Sequence, residues 1–361
     1  MEFLLEGLLG ITWKTVVMWA LGALLIYLAI RKEMEPTLLL PIGFGAILVN
    51  IPGVNFGALQ TLYDAGIANE LFPLLLFIGI GAMIDFGPLL SNPKLMIFGA
   101  AAQFGIFMTL CLASMFFDIN DAASIAIIGA ADGPSAIAVA IALGSKYLGA
   151  IMVAAYSYMA LVPIIQPPII KLLTTKKERR IRMEYKPATV SKRTRILFPI
   201  VILMIAALVA PGSAELIFFL MFGNLIRECG VLNSLSETAQ NVLANLVTIF
   251  LGISIASQME AEKFLAPETL LILGLGLFAF VFDTAGGVLF AKFLNLFLKK
   301  KINPMIGAAG ISAFPMAGWI VHKLGQEEDK YNFLLMHSIG VNVSGQIASV
   351  IASGLILGFF G

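Results

Sequence analysis

Long apolar runs follow one another along most of the chain, with short polar or charged stretches between them. A helix that crosses a bilayer needs about 20 apolar residues, so each run predicts a helix in a membrane. Several runs fall short of that length, which is typical of transporters with interrupted helices. The predicted segments are Trp13–Ile30, Thr37–Ile51, Leu71–Asp85, Leu95–Phe117, Ala122–Leu143, Leu148–Leu173, Ile196–Ala210, Ala214–Ile226, Val242–Ser257, Leu270–Leu298, Ile302–Val321 and Phe333–Phe360.

The composition supports an all-α polytopic membrane protein. Hydrophobic residues make up 59% of the chain and charged residues 12%, whereas soluble domains carry about 25% charged residues. The net charge of +1 gives no reason to expect nucleic-acid binding. Cys111 and Cys229 stand in apolar surroundings, so no disulfide framework is expected. The acidic stretch from Met1 to Trp13 lacks the basic region of a signal peptide.

Basic clusters predict which side of the membrane is cytoplasmic, because Lys and Arg accumulate on that side. They are Arg31-Lys32, the loop at 174–195 and Lys299-Lys300-Lys301. Between the first two clusters lie five apolar segments, yet two cytoplasmic points require an even number of crossings. One segment therefore does not simply cross the bilayer.

The segment that fails to cross is predicted to be Ala122–Leu143, because Asp132-Gly133-Pro134 stands at its middle. Proline lacks the backbone donor and disfavours helix at the preceding residue. Glycine and aspartate favour turns. The helix must break there, as a re-entrant hairpin or as two half-helices.

Short sequences recur between the two halves, which predicts an inverted repeat within one integral membrane domain, 1–361. Ile128-Gly129-Ala130-Ala131 recurs as Ile306-Gly307-Ala308-Ala309, and Gln166 and Gln346 fall at matching places. By the crossing count, repeats 71–173 and 242–360 have opposite orientations, and 13–51 forms separate N-terminal helices. Such transporters bind substrate where interrupted helices meet. Chance matching of small apolar residues is the alternative.

Asp132 is the strongest candidate for chemistry. A carboxylate at bilayer depth costs about 2.5–3.5 kcal/mol on insertion scales and marks ion or proton paths. Ser135 adds a hydroxyl, and hard cations prefer such oxygen ligands. The simpler interpretation is that Asp132 caps the second half-helix.

The second half offers neutral oxygens around Asn303, Gly307 and Ser312, with Gly310 where the first half has its acid. Ordinary helix packing explains such small residues equally well. Tyr158 follows the first break, although tyrosines mostly anchor at the membrane interface. The last segment has a polar stripe that is expected to line a cavity or to bond to neighbouring helices. The stripe comprises His337, Asn342, Ser344 and Gln346.

Three further polar residues are expected to be peripheral. Asp85 and Asp283 are expected at the membrane interface, and His322 is expected in a loop.

Several motifs are missing. No Gly-x-x-x-x-Gly-Lys-Ser/Thr pattern is present, so nothing in the sequence indicates that ATP drives the protein. Zinc-type Cys/His spacing and a Met-Lys-Met biotin attachment site are also absent.

Two long signatures resemble the beta subunit of the sodium-pumping biotin-dependent decarboxylases. The first comprises Gly129 to Pro134, Ala154 to Pro163 and Gln166-Pro167-Pro168. The second is Asn303-Pro304-x-x-Gly307-x-x-Gly310-x-Ser312-Ala313-x-Pro315-Met316, and the likeness extends from about Glu35 to the C-terminus.

The resemblance implies a multi-pass protein of the bacterial inner membrane that cleaves carboxybiotin and exports sodium while taking up a proton. It implies that Asp132 binds sodium and takes part in proton exchange, and that Tyr158 assists proton delivery or cation binding. The cation path would be completed by Asn303, Gly307 and Ser312, in addition to the Ser135 hydroxyl. Implied partners are a biotinylated carrier, a carboxyltransferase alpha subunit, a small single-span gamma or delta subunit and further copies of the chain.

One departure concerns Trp319, which stands where the family often has an arginine. If that arginine holds the carboxylate of carboxybiotin, His322 and Lys323, one helical turn on, are expected to replace it. The chain lacks a long N-terminal extension, as in the branches of the family that act on acyl-CoA substrates.

Two other functions compete with a decarboxylase. An inverted repeat supports a sodium-coupled secondary transporter of an organic anion equally well. A purely structural membrane anchor would give no reason for the insertion cost of Asp132. The family signatures favour the decarboxylase.

Overall fold

A computed structural model describes residues 9–54, 56–185 and 190–361 and contains no β-strand in these ranges. Residues 1–8 of the acidic N-terminus and Lys186 of the basic loop lie outside the described residues. The α-helices are α1 Trp13–Arg31, α2 Pro36–Val49, α3 Gly57–Gly66, α4 Leu71–Met83, α5 Gly87–Ser91, α6 Met96–Ala102, α7 Phe104–Ala113, α8 Ile119–Ala126, α9 Gly133–Ala142, α10 Leu148–Leu173, α11 Lys176–Arg179, α12 Lys192–Val209, α13 Ala214–Cys229, α14 Asn233–Glu237, α15 Ala244–Ala256, α16 Ala261–Phe264, α17 Pro267–Phe297, α18 Met316–Glu328 and α19 Leu335–Phe360.

The prediction of an all-α polytopic membrane protein is confirmed. In the described part of the chain, six helical segments are long and apolar enough to cross a membrane. A seventh arises if α3 and α4, bent by 63° at their junction, count as one span. Many large apolar side chains lie on the outside, as expected of a surface that contacts lipid.

The first break lies where the sequence predicted it. Helix α8 continues into a 3₁₀ turn, Ile127–Ala130, and Ala131 then adopts a left-handed conformation with φ of 53°. Asp132 is extended, and α9 begins at Gly133 with Pro134 in its first turn. Proline fits that position because a first-turn N–H has no helical partner.

The second break has a different form. Residues Pro304–Gly310 form a 3₁₀ helix, and α18 begins only after Pro315. The prediction that His322 lies in a loop is wrong, because α18 continues to Glu328 and its inner face is buried there.

A third interruption was not predicted. The segment taken as one span, Leu95–Phe117, divides at Gln103 into α6 and α7. The buried Gln103 amide donates to the carbonyl of Gly99, at 3.0 Å, and so binds a carbonyl at the end of α6. A polar side chain that satisfies a helix end makes such a break tolerable inside a membrane.

Helix α17 is the element on which these interruptions converge. It packs against α6, α7 and α10, and it contacts both 3₁₀ turns. Two glycines allow the closest approach: a Cβ on either Gly287 or Gly307 would collide with the other's main-chain carbonyl. Small residues at helix contacts permit this proximity in membranes.

Substituting Gly307 with alanine should destabilise the fold. Overpacking of a tight core costs about 1–3 kcal/mol, and the obstacle here is backbone, which yields less easily than a side chain. We expect Gly307→Ala and Gly287→Ala to lower the thermal midpoint in detergent. Gly274→Ala, in α17 but facing open space, is the matched control and should unfold at or above the wild-type temperature. Equal midpoints for all three variants would contradict this close contact.

Candidate functional site

The Asp132 carboxylate lies at the first break with 3% of its surface exposed. Its Oδ2 accepts from Ser135 Oγ at 2.7 Å, from Ser349 Oγ at 3.3 Å and from Gln346 Nε2 at 3.5 Å. Two of these donors belong to α19, more than 200 residues further along the chain. Asp132 therefore joins the start of α9 to the last helix.

The two breaks are in direct contact. Ser312 N–H, which follows the second 3₁₀ helix, donates to Ala130 O of the first break at 3.0 Å. Ser312 Oγ donates to Gly345 O at 3.2 Å, and Asn342 Nδ2 donates to Ile311 O at 2.7 Å. The polar stripe of α19 thus holds both interrupted elements together.

Two glutamines cross between the halves. Gln346 donates to the Asp132 carboxylate of the first half, whereas Gln166, on α10, donates to Ala308 O of the second half at 2.6 Å. Each long final helix therefore supplies an amide to the break in the other half. The inverted repeat and the reversed orientation of its halves stay predictions.

Three buried amide oxygens are available near the second break. The amide nitrogens of Gln103, Gln166 and Asn342 are committed to the carbonyls of Gly310, Ala308 and Ile311. Their oxygens have no hydrogen-bond partner in the part of the chain that the structure describes. Buried acceptors of this kind usually find a donor, a water or a cation. The second break is therefore surrounded by three amide oxygens that are free to accept.

The two tyrosines of the Tyr156-Ser157-Tyr158 run point to different partners. Tyr158 OH donates to Leu273 O at 2.5 Å. The fully buried Tyr156 ring covers Gly133, where any Cβ would meet its ring atoms. Within the described ranges the Tyr156 hydroxyl has no partner. The family resemblance pointed to Tyr158, and the sequence offered no reason to prefer Tyr156, because tyrosines mostly anchor at the membrane interface.

Asn303 lies at the start of the second break, beside the basic loop. Its Oδ1 accepts from Met305 N–H at 3.1 Å and caps the 3₁₀ helix. Its Nδ2 donates to Arg179 O at 2.8 Å and Ile181 O at 2.9 Å. Asn303 thus fixes the basic loop to the second break, while Gly307 provides the close contact with α17.

Ion pairs reinforce this attachment of the basic loop. Arg179 pairs with Glu328 at 2.6 Å, and Arg182 binds both carboxylate oxygens of Asp329. The hydrogen bond from Arg179 lowers the pKa of Glu328, and that from Arg182 lowers the pKa of Asp329. A lowered pKa stabilises the fold above the ordinary carboxyl range, and this contribution is lost as the pH falls through the lowered values. At neutral pH the attachment is fully charged.

Asp283 is a second buried acid, and its prediction as an interfacial residue is wrong. It is fully buried within α17. Its Oδ1 accepts from Gly105 N–H in the first turn of α7, at 2.5 Å, and so caps that helix from a neighbouring one. Its Oδ2 lies beside Gly129 of the first break. Its burial could have been predicted from the sequence, because Asp283 stands at the centre of a long apolar segment.

The residues expected to replace the family arginine point to different sides of α18. His322 is 8% exposed and stacks edge-on against Trp319, with ring centroids 6.1 Å apart. Lys323 is exposed. The two side chains therefore do not converge on one face.

Within residues 9–54, 56–185 and 190–361, no group of three or more His, Cys, Asp and Glu side chains is arranged to hold a metal ion. The junction of the breaks instead combines one carboxylate with hydroxyl, amide and main-chain oxygens. Neutral oxygens where interrupted helices meet coordinate Na⁺ in secondary transporters.

Comparisons with known proteins agree over nearly the whole chain. A family model described as the Na⁺-transporting oxaloacetate decarboxylase beta subunit matches residues 14–360. The methylmalonyl-CoA decarboxylase subunit beta of Veillonella parvula is 50% identical, with 98% of this chain and 95% of the relative covered. The corresponding subunit of Propionigenium modestum is 47% identical, covering 98% and 97%. The oxaloacetate decarboxylase beta chain of Haemophilus ducreyi is 46% identical, covering 97% and 96%.

Proposed function

Because this chain belongs to the family of Na⁺-transporting oxaloacetate decarboxylase beta subunits, we propose that it decarboxylates carboxybiotin and exports sodium in the same cycle. The biotin is carried by a partner subunit, since the chain has no Met-Lys-Met attachment site of its own. Sodium is the transported substrate, and a proton moves in the opposite direction.

The observation that carries this proposal is the position of Asp132 at the junction of the two breaks. The carboxylate supplies the charge, and Ser135, Ser312 and the Asn342 amide supply neutral oxygens on the elements packed around it. Unwound backbone adds carbonyls, as in other transporters with interrupted helices. Asn303 and Gly307 act on this site by holding the second break in place.

The chemistry gives Asp132 two alternating ligands. Loss of carbon dioxide breaks the bond between the carboxyl carbon and the ureido nitrogen of biotin, and the bonding electrons stay on that nitrogen. The nitrogen then takes up one proton. A carboxylate that exchanges sodium for this proton links decarboxylation to transport. Tyr158, and Tyr156 beside Gly133, are the hydroxyls proposed to deliver the proton, and delivery by Tyr158 requires release from Leu273 O.

The proposed partners carry out the steps of the cycle that this chain does not. A carboxyltransferase alpha subunit loads the biotin carrier and selects the acid or acyl-CoA that is decarboxylated. The relatives include both oxaloacetate and methylmalonyl-CoA decarboxylases, so they do not identify the substrate of this complex. A small single-span gamma or delta subunit and further copies of this chain complete the proposed complex. The basic loop at 174–195 lies on the side predicted to face the carrier.

Reconstituted protein tests the proposal directly. Purified chain in liposomes should decarboxylate free carboxybiotin only when sodium is present on the face bearing the basic loop, and should move sodium to the other face. Carbon dioxide release and radioactive sodium flux are measured together. Sodium-dependent uptake of an organic anion without carboxybiotin turnover would instead identify a secondary transporter.

A further inference from the structure

A half-buried cavity of about 320 Å³ opens between the basic loop at 174–195 and the cluster Lys299-Lys300-Lys301, both of which contribute to its lining. Its apolar wall comes from Pro88, Leu95 and Met336. Its polar wall comes from Ser91, Asn92, Glu184, Tyr185, Lys300 and His337. The cavity volume lies at the lower end of the about 300–1,000 Å³ of small-molecule sites. Its lining is more polar than the mainly apolar lining usual for such sites, which suits a polar, charged ligand. Asp132 and the junction of the breaks do not line it.

His337 gives this cavity a directed polar atom. It stands in the first turn of α19 and is 7% exposed. The imidazole donates to the main-chain carbonyls of Met183 and Glu184, which leaves Nε2 as the acceptor. Nε2 has no partner among the residues that the structure describes. The Tyr185 ring meets the imidazole edge-on, with centroids 5.7 Å apart, and fixes its plane.

A cation stands at the rim. Lys300 Nζ lies 3.1 Å from Glu184, in an ion pair whose side chains are 75% and 69% exposed. Exposed pairs of this kind contribute little to stability. A ligand carboxylate can therefore compete for the ammonium group and form a charge-assisted hydrogen bond with it.

Helix α19 connects this cavity to the sodium site. His337 precedes Gln346 and Ser349, both of which contact Asp132, by 9 and 12 residues. At about 1.5 Å per residue the separation along the helix is about 14–18 Å, close to half the bilayer core. A group bound in the cavity would therefore contact the same helix, α19, whose side chains bind Asp132.

We propose that this cavity, here called the ureido pocket, receives the carboxylated ureido ring of the carrier's biotin. Lys300 binds the carboxylate, His337 Nε2 accepts from the free ureido N–H, and Tyr185 and the apolar wall cover the fused rings. The inference rests on the proposed function and replaces His322 and Lys323 as the expected carboxylate-binding residues.

Steady-state kinetics with free carboxybiotin test the ureido pocket. We expect Lys300→Gln and His337→Asn to raise KM by about tenfold or more while kcat and the sodium dependence stay near wild type, because they remove binding and not the reacting group. The asparagine amide can still donate where the Nδ1–H of His337 donates, but it has no acceptor at the position of Nε2. Lys299→Gln, an exposed neighbour that does not line the cavity, is the matched control and should leave KM unchanged.

A binding readout separates this inference from the proposed function. In a background with Cys111 and Cys229 replaced by serine, Lys300→Cys should react with a thiol reagent, and biotin should slow that reaction at least severalfold. Lys299→Cys should react at the same rate with and without biotin. This measurement requires no turnover.

Each outcome is decisive. Unchanged KM in both pocket variants, or a raised KM in Lys323→Ala instead, overturns the ureido pocket while leaving the decarboxylase intact. Absence of wild-type turnover refutes the proposed function, and protection of Lys300→Cys then still decides whether the cavity binds the ureido ring. Lack of protection by biotin overturns the pocket in either case.

Discussion

Asp132→Asn is expected to reduce both carboxybiotin turnover and sodium flux by roughly two to three orders of magnitude. A carboxylate and a cation about 4 Å apart interact by about 4 kcal/mol at an effective dielectric constant of about 20, and each ~1.4 kcal/mol changes an equilibrium constant tenfold. Asparagine also cannot exchange sodium for a proton. Both activities should be measured in the same liposomes.

The substitution should leave the fold intact, which makes the result interpretable. The asparagine side-chain oxygen still accepts from Ser135 and Ser349, so the junction keeps its hydrogen bonds. The matched control is Asp121→Asn. Asp121 is also buried but binds Ser145 Oγ and Lys146 N–H away from the junction, and its variant should turn over normally. Sodium-stimulated turnover in Asp132→Asn would refute the assignment of Asp132.

The second large effect is expected at Asp283, as a loss of stability. Asp283→Ala leaves the buried Gly105 N–H without its acceptor, and such an orphaned donor costs about 1–3 kcal/mol. The cost of placing the acid in the bilayer contributes little to this difference in stability. Helix α17 remains in the bilayer when its contacts with the other helices are lost, so the cost is nearly the same in both states. Asp283→Asn keeps an acceptor for Gly105 and should lose much less. Unfolding in mixed micelles measures both variants.

The adjacent Thr284 provides the matched control. It is fully buried in the same helix, and its hydroxyl has no partner within the described part of the chain. Thr284→Val keeps the shape and removes only that hydroxyl, so its stability should equal or slightly exceed that of the wild type. If Asp283→Ala unfolded like Thr284→Val, the capping of α7 by Asp283 would be disproved.

The candidate site was only partly readable from sequence. Asp132 and Ser135 share a helix start, so turn chemistry and a short spacing placed them together. Ser349, which binds the same carboxylate, drew no attention because a serine in an apolar helix usually bonds to its own backbone. Gln103, which binds the end of α6, and Asp283, which caps α7, were likewise missed as supports of the break between these helices. A polar residue within an apolar run reveals that it needs a partner but does not identify it.

The sequence by itself determined the class of the protein, the first break and the family. Hydropathy requires a bilayer, Asp132-Gly133-Pro134 cannot continue a helix, and the two long signatures indicated a family that the comparisons confirm. These signals are local and depend on neighbours along the chain. Only the tertiary structure decided that Ser312 meets Ala130 and that Gln166 and Gln346 cross between the halves. Those contacts join residues more than 140 positions apart, and they depend on how closely glycine-faced helices approach, which no local pattern encodes.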